Sequence, residues 1–248
     1  MLFRFFKYIL LNSSLFQIYL KRSKKINFNG IENFNPIRID KKPLGTLMKI
    51  DDDYFSANLI SSIPIKMHSF DWLSDFRVVG GIELLKKSRV LILNWDKCKI
   101  NLSAHTWQEI LVARRMINLS TNFNFYAASA DNKFRKKITD MISFHFRFLN
   151  SLIKFEKEKF EIDIEITKSI LALSKLFKNE NYFKEITLLI LEQIRYQINA
   201  NGFHKSINVN EQARFIHQLI EIKNIFLYYK ENSPQLIEDT INDMTSLL

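Results

Sequence analysis

Glycine and proline set the tightest limit on what this chain can fold into: it has five glycines and four prolines in 248 residues. Sheets and barrels reverse their chain about every 8–12 residues and lean on these two residues to do so. A chain this poor in them must run in long helices with few breaks. Its hydrophobic fraction of 47% is enough to bury the core of one large domain or two small ones.

The apolar spacing supports that limit. Ile138, Met141, Ile142, His145, Phe148, Leu149 and Leu152 recur at three- and four-residue steps and share one helical face. Ile166, Ile170, Leu173 and Phe177 form a second stripe, and Ile186, Leu189, Ile190, Ile194 and Ile198 a third. A fourth holds Ile216, Leu219, Ile220 and Phe226. Breaks are expected at Gly80-Gly81, Asn101 to Ser103, Asp131-Asn132, Asn179 to Asn181, Asn201-Gly202 and Asn232 to Pro234. Several supply the Asn, Asp or Ser of an N-cap, and Ser233-Pro234 fits a cap followed by proline at the first helical position. The reading is an all-α chain of about seven helices joined by short loops. Such helices pack as antiparallel hairpins.

Residues 26–66 differ. They hold Pro36, Pro43 and Pro64, two glycines and the run Asp51-Asp52-Asp53, and read as an irregular connector with a short strand or two. The expected division is therefore a basic arm and connector over 1–66 and a helical domain over 67–248.

Charge narrows the choice of partners. The net charge is +10, and residues 1–49 carry +8 of it, from ten Lys/Arg against Glu32 and Asp40. The field belongs to an arm, and the body is nearly neutral, which disfavours nucleic acid as the main partner. Met1 to Leu20 alternates short apolar clusters with Arg4, Lys7 and Asn12-Ser13-Ser14. That is no clean secretory signal, and no stretch reaches the ~20 apolar residues of a membrane span. An amphipathic helix with the basic tail Lys21 to Lys25 can pack on its own domain or rest on an anionic membrane surface.

Several chemistries are excluded. The single Cys98 permits neither an internal disulfide nor a cysteine-rich zinc site, and reads as a small buried side chain. His68, His105 and His217 lack metal-ligand spacing, and Asp51 to Asp53 lacks the glycine and spaced ligands of a calcium loop. No phosphate loop, dinucleotide fingerprint or nucleophile elbow is present. No metal or cofactor is implied.

Four pieces of the chain carry a family resemblance. Residues 70–81, FDWLSDFRVVGG, resemble the first toroid helix of heparinase II/III-like proteins. Trp95 and Trp107 fall where such proteins carry tryptophans. Residues 113–120, ARRMINLS, resemble their arginine-rich helix, with Leu119 in place of the usual tryptophan. Residues 197–206, QINANGFHKS, resemble their helix end and loop, and residues 235–248 the helix before the second domain. The pieces keep order and spacing over roughly residues 65–248. Two positions depart from the pattern: Ile207 stands where arginine is frequent, and a proline expected soon after is missing.

This resemblance implies an incomplete (α/α) toroid of antiparallel helical hairpins. It also implies a polysaccharide lyase that cleaves uronate-containing chains by β-elimination, and a periplasmic or envelope location. In that chemistry the uronate carboxylate is neutralised, a base takes the neighbouring C–H proton, and an acid assists the departing glycosidic oxygen. The family continues into a β-sandwich domain where this sequence ends, so the chain reads as truncated before that domain: a fragment, one half of a split gene with a separately encoded sandwich, or a degenerate relative.

Substrate-binding candidates are Arg115, Asn118, Asn201 and His204; no full acid, base and neutraliser set is identified. Arg114 and Arg115 are adjacent and point about 100° apart. Only one can face the sugar, and Arg115 is preferred because Asn118 follows at i+3; the competing reading is a surface ion pair. His204 after the Asn201-Gly202 turn reads as a saccharide contact or as an exposed loop histidine. Asn201 reads as a carboxylate or hydroxyl ligand, or as a helix C-cap before Gly202. His145, on an apolar stripe, reads as a neutral core histidine. Trp72, Trp95 and Trp107 read as sugar platforms or as core. The competing function class is a catalytically inactive helical scaffold or interaction module.

Overall fold

The computed structural model describes residues 63–97, 105–156, 158–177 and 180–247, with a few isolated residues before 63. The basic arm, the connector and Cys98 lie almost wholly outside the described residues, so the readings made of them are not addressed.

Among the described residues the fold is all-helical, with nine α-helices and no strand. They are α1 Trp72–Val79, α2 Ile82–Lys97, α3 Glu109–Thr121, α4 Phe123–Ala127, α5 Asn132–Phe155, α6 Ile164–Ser174, α7 Glu180–Gln197, α8 Val209–Tyr228 and α9 Gln235–Ser246. No helix among them is long and apolar enough to cross a membrane. The count exceeds the expected seven partly because Asn122 interrupts a run that reads as continuous. Its side-chain amide turns back to the Asn118 carbonyl (2.9 Å) and across to Ser74 Oγ (3.2 Å), which ends α3 and starts the short α4.

The chain forms two compact units, one drawn from within residues 1–148 and one built mainly on 149–248. The division falls inside α5.

In the first unit α1 packs on α2 and α3, and α2 on α4. The Gly80-Gly81 pair separates α1 from α2 because both residues take positive φ, 73° and 92°, which side chains disfavour. Arginines close the helix ends: Arg77 donates to the Thr121 carbonyl (3.0 Å) at the end of α3, and Arg89 to the Tyr126 carbonyl (2.7 Å) in α4. A cation at a helix C-terminus meets both the orphan carbonyls and the macrodipole.

In the second unit α6 packs on α7 and α8, and α8 and α7 on α9. The apolar stripes face inward as their spacing requires, with one exception. Ile220 is 43% exposed, and Ile222 and Ile225 are buried in its place. The buried stripe of α8 thus keeps Ile216, Leu219 and Phe226 and is shifted by a fraction of a turn, toward Ile222 and Ile225 and away from Ile220. Caps follow side-chain chemistry: Asp163 accepts from the Glu165 amide to start α6, and Asn208 from the Asn210 and Glu211 amides to start α8. At α9 the cap is Pro234, one residue later than expected, and Ser233 Oγ finds no partner.

Candidate functional site

Arg115 and Asn118 do face the same way from α3, but what they face is the protein's own backbone. The 3-10 turn Ile65–Ser69 packs on α3 and presents its carbonyls there. Arg115 Nη1 donates to the carbonyls of His68 (2.7 Å) and Thr106 (3.1 Å), and its Nε donates to His145 Nε2 (2.9 Å). Asn118 Nδ2 donates to the Ser69 carbonyl (3.0 Å) and to Asp71 Oδ1 (2.8 Å). Arg115 is 0% exposed and Asn118 6%. Neither forms the surface ion pair considered for Arg115, and neither offers a donor to solvent. In this structure they hold the 65–71 segment against α3.

The guanidinium of Arg115 has no carboxylate partner among the described residues. It lies 4.2 Å from the Trp95 ring centroid and 5.1 Å from that of Trp107, and Nη2 lacks a hydrogen-bond acceptor. Two indole faces thus stabilise a cation that burial disfavours. Burial lowers the Arg115 pKa to about 9. Trp72, Trp95 and Trp107 are all core residues, at 1%, 3% and 8% exposure, so none is a sugar platform.

Both histidines of this cluster are neutral. His145 accepts from Arg115 at Nε2, so its proton sits on Nδ1, which donates to the Met141 carbonyl (2.6 Å). His68 Nδ1 accepts from Trp95 Nε1 (2.9 Å). Burial, then the nearby Arg115 charge, lowers His68 to about 4 and His145 well below its ordinary value. The reading of His145 as a core histidine agrees with this geometry.

Asn201 and His204 belong to the second unit, on a tight loop between α7 and α8. Asn199 Oδ1 accepts from the amides of Asn201 (2.9 Å) and Phe203 (3.1 Å), and an isolated bridge joins Ile198 to His204. Gly202 turns the chain at φ 80°. Asn201 is exposed at the loop tip. His204 is anchored beyond it, its amide donating to Gln212 Oε1 (3.2 Å), while Gln212 Nε2 donates to the Met244 carbonyl in α9.

The His204 ring sets its own tautomer. Nδ1 accepts from the Ser206 amide (3.3 Å) and lies 2.7 Å from Ser206 Oγ, so the proton belongs on Nε2. Partial burial holds its pKa below the ordinary value, opposed by Glu211 and assisted by Lys205 and Arg214. Near neutral pH His204 is an uncharged N–H donor.

His204 lines a polar groove of about 220 Å³. Its other walls come from the turn before α6 (Glu161, Asp163), from α7 (Gln193, Gln197) and from α8 (Glu211, Arg214, Phe215, Gln218). Arg214 bridges Asp163 (2.8 Å), Glu211 (3.4 Å) and Glu165 (3.9 Å). Gln193 is committed to Thr167 (2.7 Å) and to the Ile162 carbonyl (2.7 Å). Asn201 is not part of this lining. Sequence reasoning missed Arg214, Glu211 and the glutamines, because they meet only when the turn before α6 closes against α8. Their one sequence signal is spacing: Glu211, Arg214, Phe215 and Gln218 recur at three- and four-residue steps.

The four candidates therefore fall as two pairs, one in each unit. Among the described residues no group of three or more His, Cys, Asp or Glu side chains could hold a metal ion. No family model, curated protein or solved structure matches the chain.

Proposed function

We propose that this chain is the helical part of a heparinase II/III-like polysaccharide lyase, an incomplete (α/α) toroid that binds uronate-containing polysaccharide at the His204 loop. The observation that carries the reading is the loop itself. The segment with the family-like pattern QINANGFHKS forms a rigid turn, and its histidine opens into a polar groove. Successive helix contacts, α6 with α7 and α8 with α9, suit the hairpins of a toroid.

In β-elimination the neutral His204 gives an Nε2–H hydrogen bond to the glycosidic oxygen, since its Nδ1 lone pair is engaged by Ser206. The base that takes the C–H proton and the acid that protonates the departing oxygen come from the β-sandwich domain. The amide of Asn201, exposed at the tip, binds the uronate carboxylate. Mixing the protein with uronate polysaccharides, alone and with a β-sandwich domain of such a lyase, tests this. Growth of the ultraviolet absorbance of an unsaturated uronate is expected with the domain present. Absence of that signal in every mixture overturns the catalytic reading.

A second reading, a helical scaffold without catalysis, draws on the first unit. Arg115 and Asn118 spend their donors inside the core and offer none to a ligand.

A further inference from the structure

The His204 groove is short of donors. Glu161, Asp163 and Glu211 line it, against one guanidinium, Arg214, which is already shared among carboxylates. His204 is neutral, and the ammonium of Lys205 lies over the Tyr196 ring, 3.5 Å from its centroid. The groove therefore carries net negative charge. Gln218, 7% exposed, adds a buried acceptor, because its Oε1 has no hydrogen-bond partner. A buried acceptor without a donor calls for an N–H or O–H from a ligand.

A uronate carboxylate placed here would meet like charges and acceptors. A metal ion is disfavoured by the lack of a ligating cluster among the described residues. An organic ammonium that also carries hydroxyls suits both the carboxylates and Gln218 Oε1, while His204 Nε2–H is left for a sugar oxygen. A space of about 220 Å³ is smaller than the roughly 300–1,000 Å³ of drug-sized pockets and suits one sugar ring rather than a chain.

We propose that the His204 groove takes a hexosamine unit with a free amino group in preference to a uronate. The inference rests on the reading of this loop as a carbohydrate site and names the sugar that occupies it. In a mixed polysaccharide the uronate then lies outside the groove, toward Asn201.

Calorimetric titration of the full chain with three probes tests it: a glucosamine trimer, its N-acetylated form and trigalacturonate. The glucosamine trimer is expected to bind at least about tenfold more tightly than either of the others, a difference of about 1.4 kcal/mol. Glu161→Gln and Glu211→Gln, alone and together, are expected to reduce that preference, with circular dichroism confirming the fold. Equal or tighter binding of the N-acetylated or uronate trimer overturns the inference and leaves the carbohydrate reading standing. An unchanged preference in the double variant also overturns it. If none of the three trimers binds, the carbohydrate reading falls, and the inference falls with it.

Discussion

Arg115 shows how one side chain can resemble a ligand-binding residue and serve as a structural one. An arginine with an amide at i+3 on a helix can meet an acidic sugar or a row of carbonyls with equal chemical fitness. Here the carbonyls of His68, Ser69 and Thr106 fill that role. The cluster ties stability to pH through its neutral histidines. His68 titrates near 4 in the folded protein and near 6.5 when unfolded. A depressed histidine pKa means that the unfolded chain binds the extra proton first. The stabilisation is complete above about pH 6.5 and is lost as pH falls toward 4. Each pKa unit corresponds to about 1.4 kcal/mol, so His68 alone accounts for roughly 3 kcal/mol. His145 shifts in the same direction. Urea unfolding at a series of pH values should show stability declining steadily from pH 7 to pH 4. A flat profile would mean that the histidines are not held neutral.

At the scale of elements, the start of α8 combines a good cap with a strained residue. Asn208 caps the helix, but Ile207 before it has φ 51°, a left-handed conformation that costs a β-branched residue about 1–2 kcal/mol. Its side chain is 79% exposed, so little burial offsets that cost. Ile207→Asn is therefore expected to stabilise the protein by about 1 kcal/mol, read as a higher urea midpoint with unchanged slope. A lower midpoint would assign the isoleucine side chain a packing role. The helices were legible in advance because three-and-four spacing is a local property. The stripes of α5 and α7 lie in the core as read, and the Gly80-Gly81 and Asn201-Gly202 breaks fall where expected. Ile220 was misplaced because one isoleucine in a helix rich in apolar residues fits two overlapping stripes, and only the neighbouring helices decide between them. Of the candidate site, His204 was legible from its turn. Arg214 and Gln218 were not, because what makes them groove residues is a turn some fifty positions earlier in the chain.

For the whole molecule, charge is the property with the longest reach. The +8 held by residues 1–49 acts over a Debye length of about 10 Å at 0.1 M salt. Retention on a sulfonate cation exchanger should fall steeply with salt, and the triple variant Lys21→Glu, Lys24→Glu, Lys25→Glu should elute earlier. Unchanged elution would show that another surface makes the contact. The groove lined by Glu161, Asp163 and Glu211, by contrast, is acidic and belongs to the second unit, so anionic and cationic ligands should load different parts of one chain.

The indoles beside Arg115 also make the protein its own optical instrument. Trp72, Trp95 and Trp107 are its only tryptophans, and all three are buried in the first unit. Residues 149–248 contain tyrosines but no tryptophan. Indole emission therefore follows the environment of the arginine cluster alone, whereas the eight tyrosines are split, with Tyr8, Tyr19, Tyr54 and Tyr126 before residue 149 and Tyr182, Tyr196, Tyr228 and Tyr229 after it. A melt followed by indole emission would thus time the loss of the first unit without any label, and its lead or lag against helix loss by circular dichroism would show whether the two units unfold together.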